Sequence, residues 1–328
     1  MPRTLQAQHD RFALSRPFRI SRGVKTAADV ITVTVSESGV AGRGEGVPYP
    51  RYGESVEAAL AAVEEARSAV EAGVGREALQ SILPPGAARN AVDCALWDLE
   101  ARLSGVDVAD RTGVSPGRLV SAITLGIDTP AAMAEAARRH AGAPLLKVKV
   151  DADDPAARIR AVRAAAPGAA LIVDPNESWD RKLLEAMQSV VLEAAVALIE
   201  QPVAAGADDW LEGFEPSVPI CADEAVHVAA DLDRVDRRYQ AVNVKLDKAG
   251  GLTAALDLAR AARERGLALM TGCMVSSSLS IAPAFHVAAL SDFVDLDGPL
   301  WLREDRPGGV KDEGGMLVPP VAGFWGSR

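Results

Sequence analysis

Residues 144–150 read PLLKVKV, residues 170–177 ALIVDPNE, residues 196–203 VALIEQPV and residues 219–224 PICADE. Each is a short run of Val, Ile and Leu that ends on a charged residue, and Ala-rich stretches of helical character such as Pro155 to Ala166 lie between them. A short apolar run followed by an amphipathic helix is the pattern of a strand covered on both faces. The reading places strands at Pro144 to Val150, Ala170 to Asp174, Val196 to Gln201 and Pro219 to Asp223. Working outward, the same unit recurs at Val120 to Ile127, Ala241 to Leu246, Leu267 to Cys273 and Asp292 to Asp297, with another helical stretch at Leu252 to Arg265. Eight strands alternating with crossover helices predict an α/β fold, best met by a (β/α)8-type barrel. A doubly wound open sheet shares the continuous apolar strands and remains an alternative here.

Residues 1–117 follow a different rule. Asp29 to Glu37 alternates, with Val30, Thr32 and Thr34 against Ile31, Val33 and Val35, and predicts a strand. Gly-rich turns are expected after it, then helices at Ser55 to Ala72 and Ala87 to Ser104. Three parts result: an α+β domain over 1–117, the barrel over 118–302, and a tail, 303–328, that carries Gly308, Gly309, Gly314 and Gly315 and is expected to pack back on the first domain.

The 328 residues are 48% hydrophobic and carry a net charge of −10, so a large core fits and no basic block offers itself to nucleic acid or an anionic membrane. A small-molecule substrate is expected instead. Cys94, Cys221 and Cys273 are odd in number and form no CxxC, which fits reduced thiols in a cytoplasmic protein. No export segment and no apolar run of membrane-spanning length is read. The oligomeric state stays open, a homo-oligomer being compatible with all of this. His9, His140, His227 and His286 read as structural or surface residues.

Parallel barrel strands bring their carboxyl ends to one mouth, so charges scattered along the chain become neighbours. Asp174, Glu200 and Asp223 end three consecutive strands. Together they repel unless a cation joins them, and all-oxygen ligation suits Mg2+; for any one of them, capping a helix or pairing with a base is the plainer explanation. Lys147 and Lys149, two residues apart, point to the same side of their strand, and Lys245 stands across the mouth. Singly, each lysine would pass for a solvated rim residue. Lysine is a weak base at its free pKa of about 10.4, but burial beside cations brings it to about 7 or 8. A base, a metal and an ammonium together suffice to remove a proton from carbon next to a carboxylate.

The ordered motifs LLKVKV, LIVDPNESW, ALIEQPV, PICADEAV, VNVKLDKAGGLTAAL, MTGCM and DLDGP resemble the enolase superfamily, muconate-lactonizing subgroup. RISRG, GEGVPYPRYGES and GAARNAVDCALWDLEARLSG resemble its capping domain with two mobile loops, so the likeness spans nearly the whole chain. It implies a modified (β/α)7β barrel, Lys149 and Lys245 as acid/base catalysts, Lys147 on the substrate carboxylate, and Asp174, Glu200 and Asp223 on Mg2+, with Asn176 and Glu224 supporting those ligands. Within the subgroup the chain looks most like dipeptide epimerases of the L-Ala-D/L-Glu type, which act on a cell-wall peptide fragment. Asp295 and Asp297, on one side of the last strand by alternation, are then suited to a dipeptide ammonium, and Thr124, Cys273 and Met274 line the pocket. Lys25 stands where such enzymes carry an arginine for the glutamate side chain, which loses the bidentate fork. Arg22 reads as a brace for that loop, and Tyr49, Arg51 and Tyr52 as residues of the second loop over the substrate. N-acylamino acid racemisation, o-succinylbenzoate synthesis and muconate cycloisomerisation are the alternatives on the same frame.

Overall fold

The computed structural model describes residues 2–327. β1 (Thr4–Ile20), β2 (Gly23–Glu37) and β3 (Val40–Gly46) form an antiparallel sheet in that order. Two of these strands depart from the sequence reading. β1 is long, yet only Leu5 and Leu14 among its residues are buried, so it carries almost no apolar alternation. β3 occupies the stretch read as glycine turns. Its Gly42, Gly44 and Gly46 alternate onto the face where helix Ala87–Ser104 lies, and a Cβ at these positions would sit 2.2 Å from Leu99 N, 2.1 Å from Ala91 O and 2.1 Å from Ala87 O. The glycines admit a helix at backbone contact. That helix ends at Gly105, in the left-handed region, whose N–H bonds Ala101 O, and helix Val56–Glu71 starts from Ser55, whose side chain accepts from Ala58 N.

The barrel runs through β5 (Ile123–Leu125), β6 (Leu145–Lys149), β7 (Ala170–Asp174), β8 (Val196–Glu200), β9 (Ile220–Ala222), β10 (Ala241–Val244), β11 (Ala268–Gly272) and β12 (Phe293–Asp295), each parallel to the next. Ala122 N donates to Val294 O at 2.8 Å and Leu296 N to Ser121 Oγ at 2.9 Å, drawing the first strand to the last. The open-sheet alternative is thereby excluded. The stretch Val120 to Ile127 is not one strand: β4 (Leu119–Val120) pairs antiparallel with Met316–Val318 of the tail, and the chain enters the barrel only at Ile123. Between β8 and β9 the connection holds no α-helix, only the 3-10 turn Asp209–Leu211.

Inside the barrel, Ala122, Leu145, Ile172, Leu198, Cys221, Ala241 and Met270 form one apolar layer, a residue from nearly every strand. Two residues further along each strand the same face carries Thr124, Lys147, Asp174, Glu200, Asp223 and Asn243. The strict period of two therefore converts an apolar floor into a polar mouth. The intervening residues, Leu146, Val148, Val173, Ile199 and Val242 among them, face outward onto the helices and form the main core.

The first domain is fastened close to this mouth. Asp247 accepts from Val47 N and Asn90 Nδ2, both at 2.8 Å, and Arg89 donates to Ala249 O at 2.6 Å. From the tail, Arg306 reaches Asp10, Thr32 and buried Glu45, while Trp325 Nε1 donates to Arg43 O and Cys94 O. The tail thus touches the first domain as well as the amino end of the barrel. Cys94, Cys221 and Cys273 are unpaired, and among the described residues no helix is long and apolar enough to cross a membrane.

Candidate active site

A cleft of about 590 Å³, its open mouth included, lies at the carboxyl ends of the strands under the first domain, within the range of small-molecule sites. Lys147, Lys149 and Lys245 line it, with Thr124, Asp223, Asp295 and Asp297 from the barrel and Lys25 from the β1–β2 hairpin. Lys149 ends β6 and Lys245 directly follows β10, four strands round an eight-stranded ring, so the two ammoniums enter from opposite sides. Gly272 beside Lys245 leaves the room it needs, since a Cβ there would lie 2.7 Å from Asn243 Oδ1 and 3.0 Å from Lys245 Cε.

Asp174, Glu200 and Asp223 are buried at 0%, 0% and 1% exposure, and each meets an ammonium. Lys147 Nζ stands 3.0 Å from Asp174, 2.6 Å from Glu200 and 2.7 Å from Asp295, Lys149 donates to Asp174 and Asn176, and Lys245 donates to Asp223 at 2.7 Å. Burial opposes ionisation of Asp174, but Lys149 and Lys147 overcome it and bring the carboxyl down to about 2; Lys245 and Lys248 likewise hold Asp223 well below the usual range. Glu200 is different. Burial first, then the charge of Asp174, pushes it up to about 7, and its Oε2 has no hydrogen-bond partner although Lys147 lies close by, off the bonding direction. Burial would lower Lys147 and Lys245, yet the surrounding carboxylates keep both ammoniums well above their ordinary value. As the side chains stand, the carboxylates are turned onto lysines, and among the described residues no group of three His, Cys, Asp or Glu is gathered to hold one ion.

On the other wall, β12 ends at Asp295, so Asp297 does not share a strand with it as alternation suggested. Asp297 opens the 3-10 turn Gly298–Trp301, and from there its carboxylate accepts from Thr124 N at 2.8 Å. Both aspartates still reach the cleft. Burial, then the adjacent Asp295, pushes Asp297 up to about 6, whereas Asp295 has Lys147 Nζ at 2.7 Å. Lys25 Nζ lies 4.5 Å over the Tyr49 ring and is held below its ordinary value by burial, with Arg22 adding to the effect. Cys273 and Met274 line the cleft beside Val275.

Sequence reasoning missed Phe18, Ile20, Val275 and Gly298 on the wall, and Lys248 behind it. Lys248 Nζ donates to Asp223 Oδ1 at 2.7 Å and to Val226 O and Asn243 O. Its spacing of three from Lys245, on the helical turn Leu246–Ala249, is the signal that both ammoniums turn toward one carboxylate. Arg22 braces its loop as read, 2.7 Å from Glu224 Oε1 and 3.2 Å from Asn176 O, whereas Arg51 points away from the cleft onto Glu177.

A capped parallel barrel with buried lysines facing strand-end carboxylates is the architecture of a small-molecule enzyme with its site at the barrel mouth. The chain belongs to the mandelate racemase/muconate lactonizing enzyme family of the enolase superfamily: residues 3–113 match its N-terminal domain and residues 131–324 the enolase C-terminal domain-like model. Over 306 residues it is 46% identical to the L-Ala-D/L-Glu epimerase of Escherichia coli (strain K12), covering 92% of this chain and 95% of that protein. It is 42% identical over 300 residues to an N-acetyl-D-glutamate racemase of a Pseudoalteromonas species, covering 90% and 95%. An Agrobacterium tumefaciens enolase family member crystallised with sodium and L-Ala-L-Glu superposes at a TM-score of 0.97 with 48% identity, covering 99% of this chain and 100% of that one. The Methylococcus capsulatus dipeptide epimerase, complexed with Mg and L-Arg-D-Lys, gives 0.90 at 33%, covering 97% of each.

Proposed function

We propose that this protein is a Mg2+-dependent isomerase, a dipeptide epimerase that interconverts L-Ala-L-Glu and L-Ala-D-Glu in the cytoplasm. One observation carries the reading: Lys149 and Lys245 enter from opposite sides of a single cleft whose far wall is the Asp295 and Asp297 pair. A dipeptide lying across the cleft offers its ammonium to the aspartates and its terminal Cα to the lysines. One lysine takes the α-proton and the other returns a proton from the opposite face, which inverts the centre. The Lys147 ammonium offsets the charge that grows on the substrate carboxylate.

Asp174, Glu200 and Asp223 fit the metal by the chemistry of the donor set. They are three buried carboxylates on adjacent strands, and Glu200 is pushed toward protonation, its Oε2 meeting Lys147 Nζ at 2.6 Å. A Mg2+ ion held by these carboxylates would offset most of their charge and would supply stabilisation of negative charge on the substrate carboxylate.

The similarity to an N-acetyl-D-glutamate racemase favours a second reading, since that substrate also presents a glutamate carboxylate. It lacks an ammonium, so the aspartate pair separates the two. L-Ala-L-Glu is expected to be turned over with kcat/KM about 100-fold higher than its N-acetylated form, because a charge-assisted contact to a buried carboxylate pair is worth about 2 to 5 kcal/mol. Epimerisation followed by NMR decides, and equal rates on both would discard the dipeptide reading. Lys25 sets the other end. Lys25→Ala is expected to lower kcat/KM for L-Ala-L-Glu about 10- to 100-fold while leaving L-Ala-L-Leu within about threefold, because only the acidic side chain loses a charged partner. A parallel loss on both substrates would assign Lys25 to loop packing instead.

A further inference from the structure

Glu177 lies just outside the cleft, in the turn after β7, where Asn176 and Glu177 both take the left-handed conformation with φ of +47° and +67°. Consecutive non-glycine residues of this kind are uncommon and persist only where surrounding contacts fix them. Here the contacts come from both loops of the first domain. Arg51 of the second loop grips the Glu177 carboxylate with two bonds of 2.8 Å, and Arg22 of the first donates to the same carboxylate at 3.2 Å. Ser21 Oγ and Arg22 Nη1 donate to Asn176 O, each at 3.2 Å. Beneath, Ala205 N donates to Glu177 Oε1 at 2.9 Å.

The exposures say which partner is fixed. The Glu177 side chain is 9% exposed against 26% for Arg22 and 40% for Arg51, so the carboxylate belongs to the barrel and the arginines reach down to it. The loops also touch each other, Arg22 Nη2 lying 3.4 Å from Tyr49 Oη and Lys25 lying over the Tyr49 ring. Lys25, Tyr49 and Tyr52, which these loops carry, all line the cleft. On its inner side the same turn presents Asn176 Oδ1 to Lys149 Nζ at 2.9 Å.

We propose that Glu177 is a positioning residue that draws residues 19–25 and 47–54 onto the barrel mouth as one unit. A carboxylate shared by two arginines couples the loops: Arg22 also meets Glu224 Oε1 at 2.7 Å, but Glu177 is the carboxylate gripped from both loops at once. The proposal takes its catalytic meaning from the dipeptide reading, but its test does not depend on the substrate.

The test is amide hydrogen exchange on the full chain without ligand, in Glu177→Gln and, as a variant altered only at the surface, in Arg51→Ala. Both are expected to speed exchange at least about tenfold in 19–25 and in 47–54, with the barrel strands unchanged. Acceleration in one loop only, or in neither, overturns the proposal. With L-Ala-L-Glu, Glu177→Gln is further expected to raise KM about tenfold and to leave the pH profile of kcat unmoved. A shifted profile would place Glu177 in the proton chemistry and equally overturn a positioning role. Should the dipeptide not be a substrate, the exchange pattern still decides.

Discussion

Lys149→Ala and Lys245→Ala are each expected to lower kcat for epimerisation by about 10³- to 10⁴-fold, the upper range for a lost general acid or base. Inversion needs both faces of the α-carbon, and the two lysines stand four strands apart around the ring, so neither substitutes for the other. The variants are also expected to differ in kind. Each keeps the lysine that attends one face, so each still exchanges the α-proton of one epimer for deuterium while failing to invert it. The two variants choose opposite epimers, and proton NMR in D₂O from L-Ala-L-Glu and from L-Ala-D-Glu reads this directly. Wash-out from the same epimer in both variants would put the lysines on one face and end the two-base mechanism. Misfolding does not cloud the test: Asp174 retains Lys147 when Lys149 is lost, and Asp223 retains Lys248 when Lys245 is lost.

Removing divalent metal with EDTA is expected to abolish α-deuterium exchange on either epimer, and excess Mg2+ to restore it. The loss is total because the three buried acids then hold the lysines, as they do in this structure, and nothing but Lys147 offsets the charge that grows on the substrate carboxylate. Binding has its own signature. Burial and Asp174 push Glu200 up to about 7, so below that pH a proton competes with the ion for the same carboxylate. Mg2+ affinity should therefore weaken as pH falls below about 7, approaching tenfold per pH unit if one proton is displaced. Above about 7 the carboxylate is already ionised and the affinity levels off. Calorimetric titration across pH checks this without turnover, and thermal unfolding should show Mg2+ raising Tm by several degrees at saturating ion. Affinity independent of pH from 5.5 to 8, or retained in Asp223→Asn, would remove the trio as the seat of the metal.

Much of this was legible because barrel strands obey a local rule. A period of two, an apolar run and a charged terminus are visible within seven residues, and helix Ala87–Ser104 follows from its spacing and the glycines that bound it. β1 was not legible, since most of its length is exposed and its pairing with β2 draws on backbone bonds more than on apolar side chains. Gly42, Gly44 and Gly46 misread as turns for a related reason: their purpose is the approach of a helix about fifty residues further on. Lys248 escaped notice because its only mark is a spacing of three from Lys245, which exposed helical lysines share, while the carboxylate and backbone carbonyls that hold it come together only in the fold.

The sequence by itself determined the strand-and-helix order, the inward face of each strand and the residue types at its end, since these depend on neighbours two to four positions away. Only the tertiary structure decided which charges meet. That Lys149 and Lys245 oppose each other, that Asp297 reaches the cleft from a turn rather than a strand, and that Arg22 and Arg51 converge on Glu177 all depend on ring closure and on a domain folded over the mouth. Meetings between residues so far apart in the chain are set by the packing of whole elements, and a one-dimensional pattern does not encode where they occur.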